Sequence, residues 1–230
     1  MYPAPGHDSS MGRPPQDGRS NEVRNRDDPR RPRTRPGAGP LLRGNATLNL
    51  MLPALPTPRL LLLPLAERHL DEFMTVAGER SVADTTVSVP HPLTESAARA
   101  WIHRAVAESA NDRGAHFAVL LGPGEGAFAG YAGIRAIDRE HDAAELSFWL
   151  AARYGGQGYA TEAARAVVTF GFSDLRLNRI CAYHMARNPA SGRVLAKLGF
   201  QQEGCLRQKA RKWGIYEDVL VWARLRHDPI

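Results

Sequence analysis

Two stretches of the sequence combine residue type and spacing in a way that could do chemistry. The first is "RYGGQGYATEA", Arg153 to Ala163, which sets three glycines in four positions and then turns to helix-forming residues. Glycine at 156 and 158 lets backbone N–H groups approach a bound anion with no Cβ in the way. A helix that follows adds its unpaired first-turn donors and the positive end of its dipole. The spacing R-x-x-G-x-G, made by Arg153, Gly156 and Gly158, therefore suits a pyrophosphate, although a tight turn explains many such stretches. Other nucleotide motifs fail here: Thr161 stands where a G-x-G-x-x-G fingerprint needs its third glycine, and no lysine completes a P-loop. A kinase glycine loop would lie between two strands rather than ahead of a helix. The second stretch is "ELSFWLA", just upstream. Strand alternation puts Glu145, Ser147 and Trp149 on one face, and Leu146, Phe148 and Leu150 on the other.

Several other chemistries find no support. The histidines at 69, 91, 103, 116, 141, 184 and 227 show no metal-ligand spacing, so no metal is expected. Neither a G-x-S-x-G elbow nor a cysteine motif offers a covalent nucleophile. Cys181 and Cys205 form no CxxC pair, which fits a reduced, cytoplasmic setting. The most apolar region, Leu48 to Leu65, is broken by Pro53, Pro56, Pro58, Arg59 and Pro64, well short of the roughly 18 uninterrupted apolar residues of a membrane span. A soluble protein is expected.

The elements that must position these residues follow from periodicity and punctuation. Residues 1–50 hold eight of the 17 prolines and nine arginines against five acids, a net +4 of the chain's +6. Such a segment buries too little apolar surface to offset its ordering entropy and reads as disordered. It is either an arm that touches RNA or acidic surfaces, or an inert extension ahead of a start at Met51. Its arginines are interleaved with acids and prolines and lack stacking aromatics, which favours the inert extension. The remaining residues carry only +2, so nucleic acid is not an expected partner outside this arm. From residue 58 the pattern is that of a folded domain. "RLLLLPL" reads as a strand, and residues 66–78 as a helix closed by Gly78. Residues 81–93 look irregular, and Thr94 caps a helix through Ala110. Three hairpin-linked strands follow at 116–121, 127–138 and 143–151, then a helix from Tyr159, a strand "RICAYHM", a helix "PASGRVLAKL" and two last strands, from 199 and over 215–225. The order is that of an α/β sheet with mixed strand directions.

"ELSFWLAARYGGQGYATEAA" closely resembles the acetyl-CoA-binding signature of the GNAT superfamily of N-acetyltransferases, and "NPASGRVLAKLGF" resembles that superfamily's next helix. "TPRLLLLPL", "PHPLTESAARAWI" and "KWGIYEDVLVWARL" are similar to the RimJ/RimL-like branch, which includes the ribosomal-protein-alanine N-acetyltransferases. The resemblance spans residues 57–226. It implies a GNAT fold, classed α/β (α+β): a mixed, mostly antiparallel twisted sheet with a splayed strand pair and helices on both faces. It implies acetyl-CoA as co-substrate, with Phe148, Trp149 and Leu150 binding the pantetheine arm through main-chain groups. Arg153, Tyr154, Gly155, Gly156, Gln157, Gly158 and Tyr159 would form the pyrophosphate loop.

The resemblance also frames the remaining candidates. The reaction needs a neutral amine, and Glu145 is the candidate to take the proton, directly or through one water. It could instead hold the substrate's ammonium or pair with an arginine. Asn188, Pro189 and Gly199 signal a well-capped helix, and in the family the asparagine also contacts the cofactor. The tyrosine that many relatives use to protonate the departing thiolate is replaced here by Leu195. Ser191 is the substitute acid, or an ordinary first-turn serine, with Tyr183 and His184 in reserve. Lys197 either reaches a cofactor phosphate or faces solvent. Residues 81–93 and the hairpin around 207–217 should shape the acceptor mouth, where Arg207, Lys209, Arg211 and Lys212 either attract an acidic acceptor or are simply solvated. The expected activity is direct acetyl transfer, with a backbone N–H of the splayed strand stabilising the oxyanion. The acceptor is a protein α-amine or a small primary amine such as an antibiotic or polyamine. A non-catalytic acyl-CoA-binding module is the other reading. Relatives of the branch are monomers or dimers, and a homodimer is the expected assembly.

Overall fold

Three strands over residues 115–150, separated by two turns, build the centre of the sheet, and the first two are buried on both faces along most of their length. The computed structural model describes residues 52–124 and 126–229, so the expectations for residues 1–50 lie outside the described residues. Eight strands form one sheet: β1 (Leu55–Pro56), β2 (Leu60–Pro64), β3 (Ala115–Leu121), β4 (Phe128–Asp138), β5 (Ala143–Leu150), β6 (Arg179–Met185), β7 (Gln201–Lys212) and β8 (Ile215–Leu225). Their spatial order is β1-β2-β3-β4-β5-β6-β8-β7. Every neighbouring pair is antiparallel except β5 and β6, which run parallel. The crossover between those two strands is α4 (Tyr159–Ser173), as a parallel pair requires. The mixed, mostly antiparallel sheet is as expected.

Helices cover both faces. α4 and α5 (Pro189–Lys197) pack on one side, over a core that includes Leu60, Phe117, Ile134, Leu146, Val167 and Leu195. On the other side lie α1 (Leu70–Ala77), α2 (Arg80–Thr85) and α3 (Glu95–Ala110), over Phe73, Ile102, Tyr131 and Trp149. The alternation expected along β5 holds: Leu146, Phe148 and Leu150 belong to the first core and Trp149 to the second. Trp149 meets Phe73 edge-on with ring centroids 5.4 Å apart, and Tyr131 at 6.0 Å. Such pairs add about 0.5–1.5 kcal/mol each beyond the buried area, which fixes β5 rigidly from below.

Four element assignments differ from expectation. The helix expected over 66–78 starts at Leu70, after a 3-10 turn at Glu67–His69. Gly78 ends it with an ordinary φ of −70°, not in the left-handed region. The stretch read as irregular contains α2, six residues too short to stand alone but held by Val82 and Ala83, buried in the second core. β1 was not foreseen; it pairs Leu55 with Leu62 on the sheet edge, where Pro56 costs no ladder bond. β7 begins at Gln201 rather than 199, and runs to Lys212 because β8 pairs with it to that point, past two register shifts.

Candidate active site

β5 and β6 part company halfway along. Their pairing runs from Ala143 opposite Arg179 to Leu146 opposite Ala182, and stops there. Beyond it β5 keeps pairing with β4 as far as Leu150, while Tyr183 to Met185 of β6 pair only with β8. The β6-facing backbone groups of Ser147 to Leu150 therefore border a gap in the sheet. Three cavities of about 400, 520 and 770 Å³ meet along this gap, and Trp149 lines all of them.

The first cavity lies between the end of β5, the glycine loop and the start of α5. Gly156 (φ +75°) and Gly158 (φ +83°) sit in the left-handed region, and Gly158 is the N-cap of α4 with no side-chain cap. A Cβ on Gly156 would touch nothing within 4 Å. The glycine is required by backbone conformation, and the space above the first turn of α4 stays open. Arg59, just ahead of β2, secures this loop from behind. Its Nη1 donates to the Gln157 carbonyl (2.9 Å), its Nε to Glu162 Oε2 (2.7 Å), and its guanidinium lies 4.5 Å over the Tyr159 ring. Burial pushes the Glu162 carboxyl up, but hydrogen bonds from the Thr57 hydroxyl, the Arg59 amide and its guanidinium outweigh that and hold it below its ordinary value.

The middle cavity contains Glu145, Ser191 and Tyr183. Glu145 lies opposite Arg135 of β4, with Arg135 Nε 3.6 Å from its Oε1. Burial raises the Glu145 carboxyl above its ordinary value, and the nearby guanidinium only partly offsets this. A carboxylate so placed is a better proton acceptor than a solvated one. Ser191 Oγ accepts from Asn188 Nδ2 (3.0 Å), leaving its own proton free to donate. Asn188 caps α5 and also donates to the Thr85 carbonyl (3.4 Å), tying α5 to α2. Tyr183 is pushed up to about 12, chiefly by its hydrogen bond with Cys181 and then by burial. His184 is committed elsewhere: its Nδ1–H donates to the Met185 carbonyl (2.9 Å) and its Nε2 accepts from Trp222 Nε1 (3.0 Å). Its role is structural. Leu195, where many relatives carry tyrosine, is 1% exposed.

The outer cavity lies under α3. Gly133 is forced to be glycine here, because a Cβ would fall 2.6 Å from Tyr131 Oη and 2.7 Å from the Ala115 carbonyl. In the wall, His116 bridges the Tyr131 hydroxyl (2.7 Å) and Glu108 (2.9 Å). With Glu108 accepting from Nε2–H, Nδ1 accepts from the tyrosine, and burial keeps His116 below its ordinary value despite Glu108.

Phe148, Trp149, Leu150, Tyr154 and Gly155 line the first cavity, and so do Gly156, Gly158, Asn188 and Lys197. Arg153, Gln157 and Tyr159 do not. The Arg153 guanidinium pairs with Glu79 and lies 4.9 Å over the Tyr154 ring. Ser191 lines both the first and the middle cavity, and Glu145 the middle one. At the expected mouth, Thr85 to Ser88 and Lys209 line the middle cavity. Lys212 is buried instead, donating to the Val89 carbonyl (2.8 Å).

The sequence profile of the acetyltransferase (GNAT) domain family matches residues 59–201, more than half of the chain. The chain belongs to the GNAT family. The chain is 35% identical over 99 residues to the uncharacterised N-acetyltransferase p20 of Bacillus licheniformis, covering 43% of this chain and 56% of that protein. It is 32% identical over 89 residues to the ribosomal-protein-serine acetyltransferase of Escherichia coli, covering 39% and 50%. The chain thus spans about half the length of the curated relatives it matches. Among solved structures, the ribosomal α-N-protein acetyltransferase RimL in complex with coenzyme A superposes with a TM-score of 0.70 at 20% identity, over 75% of this chain and 98% of that one. At that identity the likeness concerns the fold. The family and fold implied by the motifs are borne out.

Arg59 and Arg135 were not among the residues expected from the sequence. Arg59 reaches a partner 103 residues away, and no local pattern announces that. Arg135 was nearly legible, because the hairpin Asp138–Ala143 fixes a register. Counting back from that pair puts Ala136 opposite Glu145, but a bulge with Ala136 at φ +51° slips the ladder by one and substitutes Arg135.

Proposed function

We propose that this GNAT protein is an acetyl-CoA-dependent N-acetyltransferase that moves an acetyl group directly to a primary amine. The observation that carries this reading is the β5–β6 gap, with the glycine loop at one end and the paired Glu145 carboxylate at the other. The first cavity fits the co-substrate in kind. Unpaired α4 N–H groups behind Gly156 and Gly158 suit a pyrophosphate, and the open backbone of residues 147–150 suits an amide-bearing arm. Bound acetyl-CoA supplies a thioester activated toward amines. Glu145 takes the proton from the incoming ammonium, and its raised proton affinity narrows the gap to an α-amine, whose ordinary pKa is about 7.7–8.0. A β5 backbone N–H faces the carbonyl oxygen as it gains charge. The Ser191 hydroxyl, held by Asn188, relays a proton to the departing sulfur and regains its own from the substrate nitrogen, which sheds its second proton as the amide forms. Arg153 serves through its backbone, because its side chain is engaged with Glu79.

The acceptor is a protein N-terminus or a small amine. The E. coli relative's name, ribosomal-protein-serine acetyltransferase, supports the protein reading. We take residues 57–226 as the acetyltransferase domain and residues 1–50 as an Arg/Pro-rich N-terminal extension. Among the described residues no helix is long and apolar enough to cross a membrane, and Cys181 and Cys205 are free thiols; both features suit the cytoplasm. A homodimer is the assembly expected from the family resemblance. A screen of peptides, polyamines and aminoglycosides for acetyl-CoA-dependent thiol release tests the reading. Release with at least one acceptor class is expected. Tight acetyl-CoA binding with no release from any acceptor would leave only a non-catalytic binding module.

A further inference from the structure

The charges around the acceptor side are unbalanced in a specific way. Three carboxylates line the middle and outer cavities, and each is already engaged. Glu145 faces Arg135 (3.6 Å), Glu108 accepts from His116 (2.9 Å), and Asp138 faces His141 (3.3 Å). Five cations line the same space: Arg104, Arg113, Arg135, Arg139 and Lys209. Arg139 is held by Asp112 (2.7 Å) and Arg135 by Glu145, but Arg104, Arg113 and Lys209 have no carboxylate within 4.0 Å among the described residues. A polyamine carries further ammonium groups, and beyond Glu145, which receives the reacting amine, this lining offers them no open carboxylate. An acidic acceptor would find three uncommitted cations.

We propose that the natural acceptor is an anionic peptide: a free N-terminal amine followed within a few residues by Asp or Glu. This rests on the acetyltransferase reading above and adds to it the class of acceptor. The layout gives each part of such a peptide a place. Its amine sits at Glu145 in the middle cavity. Its chain passes Ser88 and Ser147, which border both cavities, into the outer one, whose roughly 770 Å³ is far more than one amine needs. Trp101, Tyr131 and Trp149 offer an apolar wall for the first side chains. Arg104 on α3 and Arg113 in the turn before β3 then receive the carboxylates. Such complementarity acts mainly on encounter and on discrimination between partners.

The test uses the full-length protein and three peptides that share their first two residues and continue with alternating Asp and Glu, with Gly and Ser, or with Lys. At low salt, kcat/KM should favour the acidic peptide over the neutral one by roughly tenfold, with the lysine peptide last. The advantage should shrink as ionic strength approaches about 1 M, where the screening length falls to about 3 Å. The R104Q/R113Q double variant should bring the acidic and neutral peptides within about twofold of each other, mostly through KM. Equal rates for the three peptides, or a preference for lysine, would overturn the proposal. Peptide affinity measured by calorimetry on the protein saturated with coenzyme A separates this from the catalytic reading. Acidic preference in binding with no thiol release would refute the transferase and leave the acceptor surface standing. Equal affinities would refute the surface, whatever the turnover.

Discussion

The two ends of the gap are built from different materials. The donor end is backbone: left-handed glycines, the first turn of α4 and the unpaired flank of β5, all within residues 147–162, braced from behind by Arg59. The acceptor end is side chain: Glu145, Arg135, His116, Trp101 and Lys209, gathered from five separate elements. Main-chain groups bind without regard to most neighbouring side chains, so this end can serve one fixed donor throughout a family. Side chains drawn from distant segments change one at a time, and they set which amine is accepted.

That contrast can be broken or sharpened by substitution. The largest effect belongs to Glu145→Gln, which keeps shape and removes the proton acceptor. It should lower kcat by about 100-fold or more while coenzyme A affinity, measured by calorimetry, stays the same. Next is Gly158→Val. Placing a β-branched residue at φ +83° costs on the order of 1–2 kcal/mol, so coenzyme A should bind roughly 5–30-fold more weakly, whichever acceptor is offered.

Arg135→Gln acts on pH dependence. Burial already raises the Glu145 carboxyl and Arg135 opposes that rise, so losing the guanidinium raises it further. The deprotonated form is the working one. The acid limb of kcat/KM should therefore move to higher pH, with rates converging above both limbs. An unmoved limb would show that the titrating group is not Glu145. The smallest effect is that of Arg59→Ala. Its ion pair is half-exposed on the arginine side, so donor affinity should fall only about threefold to fivefold, the equivalent of roughly 1 kcal/mol.

The same contrast explains what could be read from the sequence. The donor end is contiguous, and its requirements are local: glycine where φ is positive, a helix directly after it, a strand directly before it. Those signals are written in residue order, and so are the capped helices α3 and α5, whose Thr94 and Asn188 accept the bonds expected of them. Elements held by tertiary contact left no such trace. α2 exists because Val82 and Ala83 have a core to enter, and β1 because Leu62 offers an edge. Arg135 faces Glu145 only because one bulge shifts a hairpin ladder. His184, held in reserve as an acid, has both ring nitrogens occupied by groups the sequence could not place beside it.

Amide hydrogen exchange on the full-length protein, with and without coenzyme A, tests most directly whether the donor is held by backbone in the β5–β6 gap. Slowed exchange is expected at residues 147–150 and through the glycine loop into the first turn of α4, with α3 and the start of β4 unchanged. Protection confined to the outer cavity under α3, with residues 147–150 unaffected, would contradict the account.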